Sequence, residues 1–115
     1  MAYVDGFLAA VPNANKDAYL AHAKAMAALF KEYGALQVVE TWGDDVPDGK
    51  VTDFKRSVQA KPDETVVFSW IVWPDKATRD AAWARGMEDP RMKDMDMPFD
   101  GKRLIYGGFE RLMEA

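Results

Sequence analysis

The sequence predicts an α+β domain in which a four-stranded antiparallel sheet carries two main helices on one face. Four segments are rich in β-branched and aromatic residues and alternate in polarity or are apolar throughout, which is typical of strands. Two longer segments, one after the first strand and one after the third, have apolar residues at helical spacing. The predicted order is therefore β, α, β, β, α, β.

The first half of the chain supplies a strand, a helix and a second strand. Residues 2–11 predict the first strand, which Pro12 ends. A helix follows as far as Gly34, with Asn13 or Asn15 as its N-cap. Its apolar stripe contains Tyr19, Ala23, Met26, Phe30 and Tyr33. Residues 35–46 then alternate in polarity and predict the second strand.

The second half begins with an acidic turn, residues 44–53, followed by a short strand or extended arm over residues 54–60. Residues 65–73, "TVVFSWIVW", form the most β-prone segment and predict the third strand. Asp75 is the expected N-cap of a helix over 76–88, and Asp89 and Pro90 open a short helix over 91–95. Residues 103–113 close the chain as a strand, which gives a ferredoxin-like βαββαβ unit.

Composition favours a single domain over residues 1–115. A chain of 115 residues buries roughly two thirds of its unfolded surface, enough for one core. The net charge of −4 opposes binding to nucleic acid, and the absence of cysteine excludes disulfides and thiolate metal sites. No signal peptide and no apolar run long enough to span a membrane are recognised, so we expect a cytoplasmic protein that binds neither nucleic acid nor membrane.

The third predicted strand is apolar on both faces. Val66, Phe68, Trp70 and Val72 alternate along it with Val67, Ser69, Ile71 and Trp73. Two helices cover only one face of a four-stranded sheet, and the other face remains as an apolar patch of the kind that marks an interaction site. We expect a second copy of the chain to cover it, as a two-fold homodimer through sheet faces.

Several blocks carry a resemblance to a known family. The segments "YVDGF", "GALQVVETWGDDVPDGKVTDF", "KPDETVVFSWIVW", "DPRM" and "MPFDGKRLIYGGFE" occur in order over nearly the whole chain. They resemble the uncharacterised bacterial family called domain of unknown function 1428. The resemblance implies membership of the dimeric α/β-barrel superfamily, whose relatives include cofactor-independent antibiotic-biosynthesis monooxygenases, haem-dependent enzymes and proteins without an assigned activity. It implies no catalytic residues.

Three side chains are candidate acid–base groups. Glu40 and Asp5 share strand faces with large apolar residues, where burial raises a carboxyl pKa unless a donor is present. His22, the one histidine of the chain, lies beside the apolar stripe of the first helix. Structural alternatives remain: a histidine at the edge of the helix–sheet contact, and carboxylates that are ion-paired, with Arg56 or Arg103 as the expected cations.

An apolar pocket between sheet and helices is the expected ligand site, and five residues are candidates to line it: Trp42, Arg56, Trp70, Arg103 and Tyr106. Gly107 and Gly108 fall on opposite faces of the last strand, so one would admit a helix and the other a partner sheet or ligand.

Two classes of function follow from these patterns. The first is a small-molecule enzyme or ligand-binding protein, such as a cofactor-independent oxygenase or isomerase, with Glu40, Asp5 or His22 as base. The second is a noncatalytic interaction dimer in which the same polar residues are structural. No metal, phosphate-loop or dinucleotide motif is recognised, and "DDVPDG" lacks the ligand spacing of a calcium loop, so we expect no metal and no cofactor.

Overall fold

The computed structural model describes residues 2–115. The chain has a mixed α+β architecture. Its elements are, in chain order, β1 (Tyr3–Pro12), a 3-10 turn (Asn13–Asn15), α1 (Lys16–Glu32), β2 (Gln37–Trp42), α2 (Phe54–Ser57), β3 (Glu64–Trp73), α3 (Lys76–Glu88), α4 (Pro90–Lys93), a second 3-10 turn (Gly101–Arg103) and β4 (Ile105–Glu110).

The four strands form one antiparallel sheet in the order β2-β3-β1-β4. The two long strands, β1 and β3, occupy its centre, and Tyr3 lies opposite Trp73 in their register. Strand β2 pairs with β3 so that Glu40 lies opposite Ser69, and β4 pairs with β1 so that Asp5 lies opposite Gly108. Because side chains alternate between faces, these six positions all lie on the same side of the sheet.

Helices α1 and α3 pack on that side and form the main core with it. Trp73 is fully buried, and Tyr3 and Ile71 lie beside it in the sheet. From the helices, α1 contributes Leu29 and Phe30 to this cluster, and α3 contributes Ala82. The stripe predicted for α1 is therefore the side that faces the sheet.

The other side of the sheet is covered at one end only. Residue Val58, just after α2, is buried there against Ala10 and Val66. Beyond this end lies a groove of about 710 Å³, which we call the open face; Phe68, at 46% exposure, and Phe109, at 60%, are among its lining residues. Strand β3 is thus apolar on both sides, but α1 and α3 cover only one.

Several predicted elements differ from the structure, including β2, which spans only Gln37–Trp42 of the predicted residues 35–46. Residues 54–60 contain the helix α2 instead of a strand, because the Asp53 side chain accepts a hydrogen bond from the backbone N–H of Arg56 and so caps a helical turn. Helix α1 has Asn15 at its N-cap position without a capping hydrogen bond, since that side chain donates to the backbone of Pro98 instead. Strand β4 starts only at Ile105, after the 3-10 turn.

Other local predictions are confirmed. Helix α3 runs over the predicted residues, and the Asp75 side chain accepts from the Thr78 N–H as its cap. Asp89 caps α4 through the Arg91 N–H, with Pro90 at the first helical position. Helix α1 ends just before Gly34, whose φ of 113° suits glycine. Within residues 2–115, no helix is both long and apolar enough to cross a membrane.

Candidate functional site

A cavity of about 200 Å³ lies between α1, the helix-side face of the sheet and the segment before β4. We call it the inner cavity. Its wall is mostly aromatic and aliphatic, with rings from β1, α1, α3 and the segment before β4. Four polar side chains also line it: Tyr19, His22, Glu40 and Ser69. Of residues 2–115, no lysine or arginine does so.

Glu40 supplies the carboxylate of this cavity. Strand alternation places its side chain on the helix side of β2, where Tyr19 of α1 donates its phenolic O–H to Oε1 at 2.6 Å. Water can still reach Glu40, because β2 is an edge strand and the cavity is open to one side. The surrounding protein nevertheless desolvates the carboxylate, and this burial raises the pKa of Glu40.

Two hydroxyl groups partly offset that desolvation. The hydrogen bond from Tyr19 and the Ser69 hydroxyl, which lies opposite Glu40 in the β2–β3 pair, both stabilise the ionised carboxylate. In turn, burial and the neighbouring carboxylate raise the pKa of Tyr19, so that its hydroxyl stays protonated and acts as a hydrogen-bond donor. Glu40 is therefore a carboxyl group held by neutral partners alone, which is the environment of many acid–base residues.

His22 lies at the rim of the same cavity, beneath the segment before β4. Its ring contacts the ring of Phe99 at a centroid distance of 6.1 Å in an edge-on arrangement. Burial lowers the pKa of His22, and a backbone hydrogen bond to Asp96 opposes that effect. Its Nδ1 is buried and has no hydrogen-bond partner among the described residues. A neutral imidazole that fixes residues 96–99 over the cavity is the role this geometry supports.

Asp5, by contrast, does not line the inner cavity. Its carboxylate is buried and accepts hydrogen bonds from the indole N–H groups of Trp73 and Trp83, both at 2.9 Å. Arg79 of α3 completes the cluster, with Nη2 at 2.8 Å from Oδ1. All its partners are donors within the protein, so the geometry favours a structural role for Asp5: it joins β1, β3 and α3.

The prediction that Arg56 or Arg103 pairs with Glu40 or Asp5 is wrong. Arg103 pairs with Glu64 at 2.7 Å, a contact that holds the pKa of Glu64 at about 2, and it also contacts Asp100. Arg56 closes the acidic loop, where it binds Asp53 and backbone carbonyl groups of residues 49–51. The segment before β4 and the acidic loop carry their own ion pairs. For this reason neither arginine is free to reach Glu40 or Asp5.

The three aromatic candidates are divided among different surfaces. Trp70 borders both the inner cavity and the open face. Tyr106 lies outside the cavity, 74% exposed, and stacks on Phe7 at 6.5 Å. Trp42 packs beside the core under Lys16, whose Nζ lies 5.1 Å from the ring centre. Only Trp70 among these three contributes to the cavity wall.

The two adjacent glycines of β4 also face different surroundings. A Cβ atom on Gly108 would lie 2.5 Å from the Tyr3 hydroxyl oxygen and 2.9 Å from Arg79 Nη2. The missing side chain at Gly108 therefore lets the core residue Tyr3 and the α3 residue Arg79 approach β4 closely. A Cβ atom on Gly107 would meet only the Phe109 ring, at an ordinary 3.5 Å. Gly107 lies opposite Gly6 on the open face.

Sequence reasoning missed three residues of these sites. Tyr19 was assigned only to the apolar stripe of the first helix. A buried tyrosine hydroxyl needs a hydrogen-bond partner, and this requirement could have indicated a polar group opposite Tyr19. Trp83 lines the cavity and also bonds to Asp5. Arg79, the partner of Asp5, lies 74 positions away along the chain, and no local pattern marks that pairing.

Among residues 2–115, no three His, Cys, Asp or Glu side chains are grouped so that they could hold a metal ion. The polar atoms of the inner cavity are one carboxylate, two hydroxyl groups and one imidazole. Such a set can accept a hydrogen bond or a proton from a bound molecule. It lacks a positive charge to hold an anion.

Comparisons with known proteins give similarity without an activity. The sequence model of a family described as "Protein of unknown function (DUF1428)" matches residues 2–101. The chain is 60% identical over 116 residues to the protein named "Uncharacterized protein YbaA" in Escherichia coli strain K12, with 99% of each chain covered. The proteins of that name in Escherichia coli O157:H7 and Shigella flexneri give the same identity and coverage.

Proposed function

Because the chain belongs to the DUF1428 family, whose description assigns no function, we propose a function from the inner cavity itself: binding of a small, uncharged, ring-sized organic molecule, with Glu40 as polar anchor and proton acceptor. The observation that carries this proposal is a carboxylate that accepts a hydrogen bond from the Tyr19 hydroxyl at 2.6 Å and lines an otherwise apolar cavity with no lysine or arginine among the described lining residues. Such a group in a cleft is a candidate functional residue.

The volume limits the size of the ligand. An apolar cavity of about 150 Å³ accommodates benzene, while pockets for drug-sized ligands start at roughly 300 Å³. At about 200 Å³ the inner cavity fits one ring with a small substituent. Large polycyclic molecules would require the wall to move.

The charge of the cavity limits the chemistry of the ligand. An anionic ligand would bring a second negative charge next to Glu40, with no lysine or arginine among the described lining residues to compensate. A neutral molecule with an O–H or N–H group can donate a hydrogen bond to the Glu40 carboxylate, and removing such a molecule from water costs little free energy compared with removing an ion. If the bound molecule carries an acidic proton there, Glu40 is the base that takes it, and catalysis would be a proton transfer.

Four ring compounds of similar size test this proposal by isothermal titration calorimetry: phenol, toluene, benzoate and benzylamine. We expect phenol to bind best and benzoate not to bind. In Glu40→Leu the preference for phenol over toluene should disappear, while Gln37→Leu, a matched change of an exposed residue in the same strand, should preserve it. Absence of binding by all four compounds, or a preference for benzoate, would contradict the proposal.

We also propose that residues 1–115 form one ferredoxin-like domain of the dimeric α/β-barrel type. The sheet order β2-β3-β1-β4, its antiparallel pairing and the packing of α1 and α3 on one side support it. The open face is the proposed dimer interface, and none of its described lining residues is charged. In a two-fold pair the same surface of each copy meets the other, so an uncharged surface avoids like-charge repulsion near the axis.

Sedimentation velocity tests the homodimer at micromolar concentration. The wild type should sediment as a dimer, and Phe68→Lys should convert it to a folded monomer, because the substitution places a charge in the open face. Leu20→Lys, a control at a similarly exposed residue of α1, should leave the dimer intact. A monomeric wild type would refute the interface. It would leave the inner cavity, and its ligand, as a separate question.

A further inference from the structure

We propose that Met97 is an oxidation site that controls binding in the inner cavity: a hydroperoxide converts its thioether to the sulfoxide, and the cavity then binds an apolar ring more weakly. This inference rests on the ligand binding proposed above. Met97 lines the inner cavity, and 54% of the residue is exposed. It also lines a depression of about 500 Å³ on the outer side, between α1 and residues 95–98. The side chain is therefore accessible from solvent and forms part of the ligand site.

Exposure and position together distinguish Met97 from the other methionines. Met26 also lines the inner cavity, but it is half-buried in α1. Met87 and Met113 are each 72% exposed, but neither lines the cavity. Among residues 2–115, Met97 is therefore the one methionine that is both largely exposed and part of the cavity wall. Because oxidation follows exposure, Met97 is the cavity methionine that a peroxide oxidises first.

The reaction needs a hydroperoxide, such as hydrogen peroxide, as its oxidant. Sδ of Met97 attacks one oxygen of hydrogen peroxide, so that an S–O bond forms and the O–O bond breaks. The second oxygen leaves as hydroxide and takes the proton of the transferred oxygen, which gives water. The sulfur loses two electrons and the peroxide gains them. A methionine sulfoxide reductase, which draws two electrons from a thiol, restores the thioether.

The sulfoxide does not suit the wall that Met97 forms. Its oxygen is a polar acceptor, whereas the thioether that it replaces is close to apolar. A bound phenol uses its one O–H for Glu40, so its ring covers the remaining wall and offers the sulfoxide oxygen no donor. The Tyr19 hydroxyl already donates to Glu40, at 2.6 Å. A ring that displaces water from the sulfoxide therefore leaves a polar atom without a partner, and binding becomes weaker.

The packing around the sulfur also opposes the added oxygen. A Cβ atom on Gly101 would lie 3.3 Å from Met97 Sδ, so the thioether packs closely on the second 3-10 turn. Oxidation makes the sulfur pyramidal, and this contact must rearrange. Two residues further along, the Phe99 ring lies 5.8 Å from the ring of Tyr19, whose hydroxyl binds Glu40. Movement of residues 97–99 therefore disturbs both the apolar wall and the polar anchor.

Isothermal titration calorimetry with phenol, before and after treatment with hydrogen peroxide, tests the proposal. Tandem mass spectrometry of tryptic peptides locates the added oxygen. We expect Met97 to be oxidised ahead of Met26, and the Kd for phenol to rise about tenfold, the loss that one polar atom without a partner produces in an apolar site. Methionine sulfoxide reductases with dithiothreitol should restore the original Kd.

Two leucine substitutions form a matched pair, and the quantity compared is the change in Kd that peroxide causes within each variant. Met97→Leu removes the sulfur from the cavity wall, so peroxide should leave its Kd unchanged. Met87→Leu removes an exposed sulfur outside the cavity, so peroxide should weaken its binding as much as in the wild type. Met97→Gln places a polar side chain of similar length at the site and should bind phenol more weakly than Met97→Leu without any peroxide.

Four results would overturn the oxidation site. They are a Met97 that resists peroxide, an unchanged Kd in wild type oxidised at Met97, an equal rise of Kd in Met97→Leu, and loss of the folded circular dichroism spectrum on oxidation, because the proposed effect is confined to the cavity. In each case binding of phenol by the untreated protein would leave the proposed function standing. If phenol does not bind the untreated wild type, the function is refuted and the inference with it.

Discussion

The sharpest test of the packing around the sheet is the substitution Gly108→Ala. An added Cβ atom would lie 2.5 Å from Tyr3 Oη, 2.7 Å from Tyr3 Cε2 and 2.9 Å from Arg79 Nη2. Tyr3 is buried in the main core, and the Arg79 guanidinium covers its ring at 5.3 Å while it binds Asp5. Neither side chain can give way without disturbing the other, so the methyl group must strain the core.

The size of the effect follows from two opposing contributions. Overpacking of a core by one methyl group costs about 1–3 kcal/mol, while replacement of glycine by alanine restricts the unfolded chain and returns about 0.4–1 kcal/mol. The difference between the central values is about 1.3 kcal/mol, so we expect Gly108→Ala to lower the free energy of unfolding by about that amount. With a urea slope of about 1.5 kcal/mol per M, the midpoint falls by about 0.9 M.

Urea unfolding followed by circular dichroism measures this difference, and the neighbouring glycine provides the control. Gly107→Ala places a Cβ atom at an ordinary 3.5 Å from Phe109, so its midpoint should equal or slightly exceed that of the wild type. Two protein concentrations are needed because Gly107 lies on the open face, where association could add to the measured stability. If Gly108→Ala and Gly107→Ala unfold at the same midpoint, the packing argument is refuted.

Three further changes separate structural from functional carboxylates. Asp5→Asn should destabilise the fold by about 3–5 kcal/mol, because it leaves the Arg79 guanidinium without its buried partner; an unchanged thermal unfolding curve would contradict this. Arg103→Met should destabilise the fold at pH 7, and this deficit should shrink as pH falls through about 2, the pKa of Glu64, because that pKa is depressed in the fold; calorimetry in acid measures it. Glu40→Gln should gain stability relative to the wild type as pH rises, because the pKa of Glu40 is raised and its ionised form is the disfavoured one; the same relative stability at pH 4 and pH 8 would count against a desolvated carboxylate.

Local signals in the sequence were enough for most of the fold. Asp75, Asp89 and Pro90 predicted the starts of α3 and α4 because N-caps act through hydrogen bonds two or three residues away. Gly34 predicted the end of α1 because glycine tolerates the positive φ that it adopts there. Residues 54–60 were misjudged since the cap at Asp53 was counted only as part of an acidic turn.

The candidate site depends on distant pairings, and these were less predictable. Strand alternation correctly placed Glu40 on the side of the sheet that faces the helices, but its partner Tyr19 comes from α1 across the helix–sheet contact. Arg56 or Arg103 was the expected cation for Asp5, and Arg79 was not considered because it lies 74 positions away with no local pattern to mark the pairing. The ion pair of Arg103 with Glu64 joins the second 3-10 turn to the start of β3, and no local pattern in the sequence shows that these two segments meet.

The positions of the tryptophans give the protein a set of built-in optical reporters. Trp83 lies in the wall of the inner cavity, so its fluorescence should respond to a bound ring. Trp70 borders the open face, and covering that face should shift its emission to shorter wavelength. Trp73 is fully enclosed and bonded to Asp5, which makes it a constant background until the fold is lost. Ligand capture and self-association can therefore be followed in one unlabelled sample, with Trp83→Phe and Trp70→Phe to assign each signal.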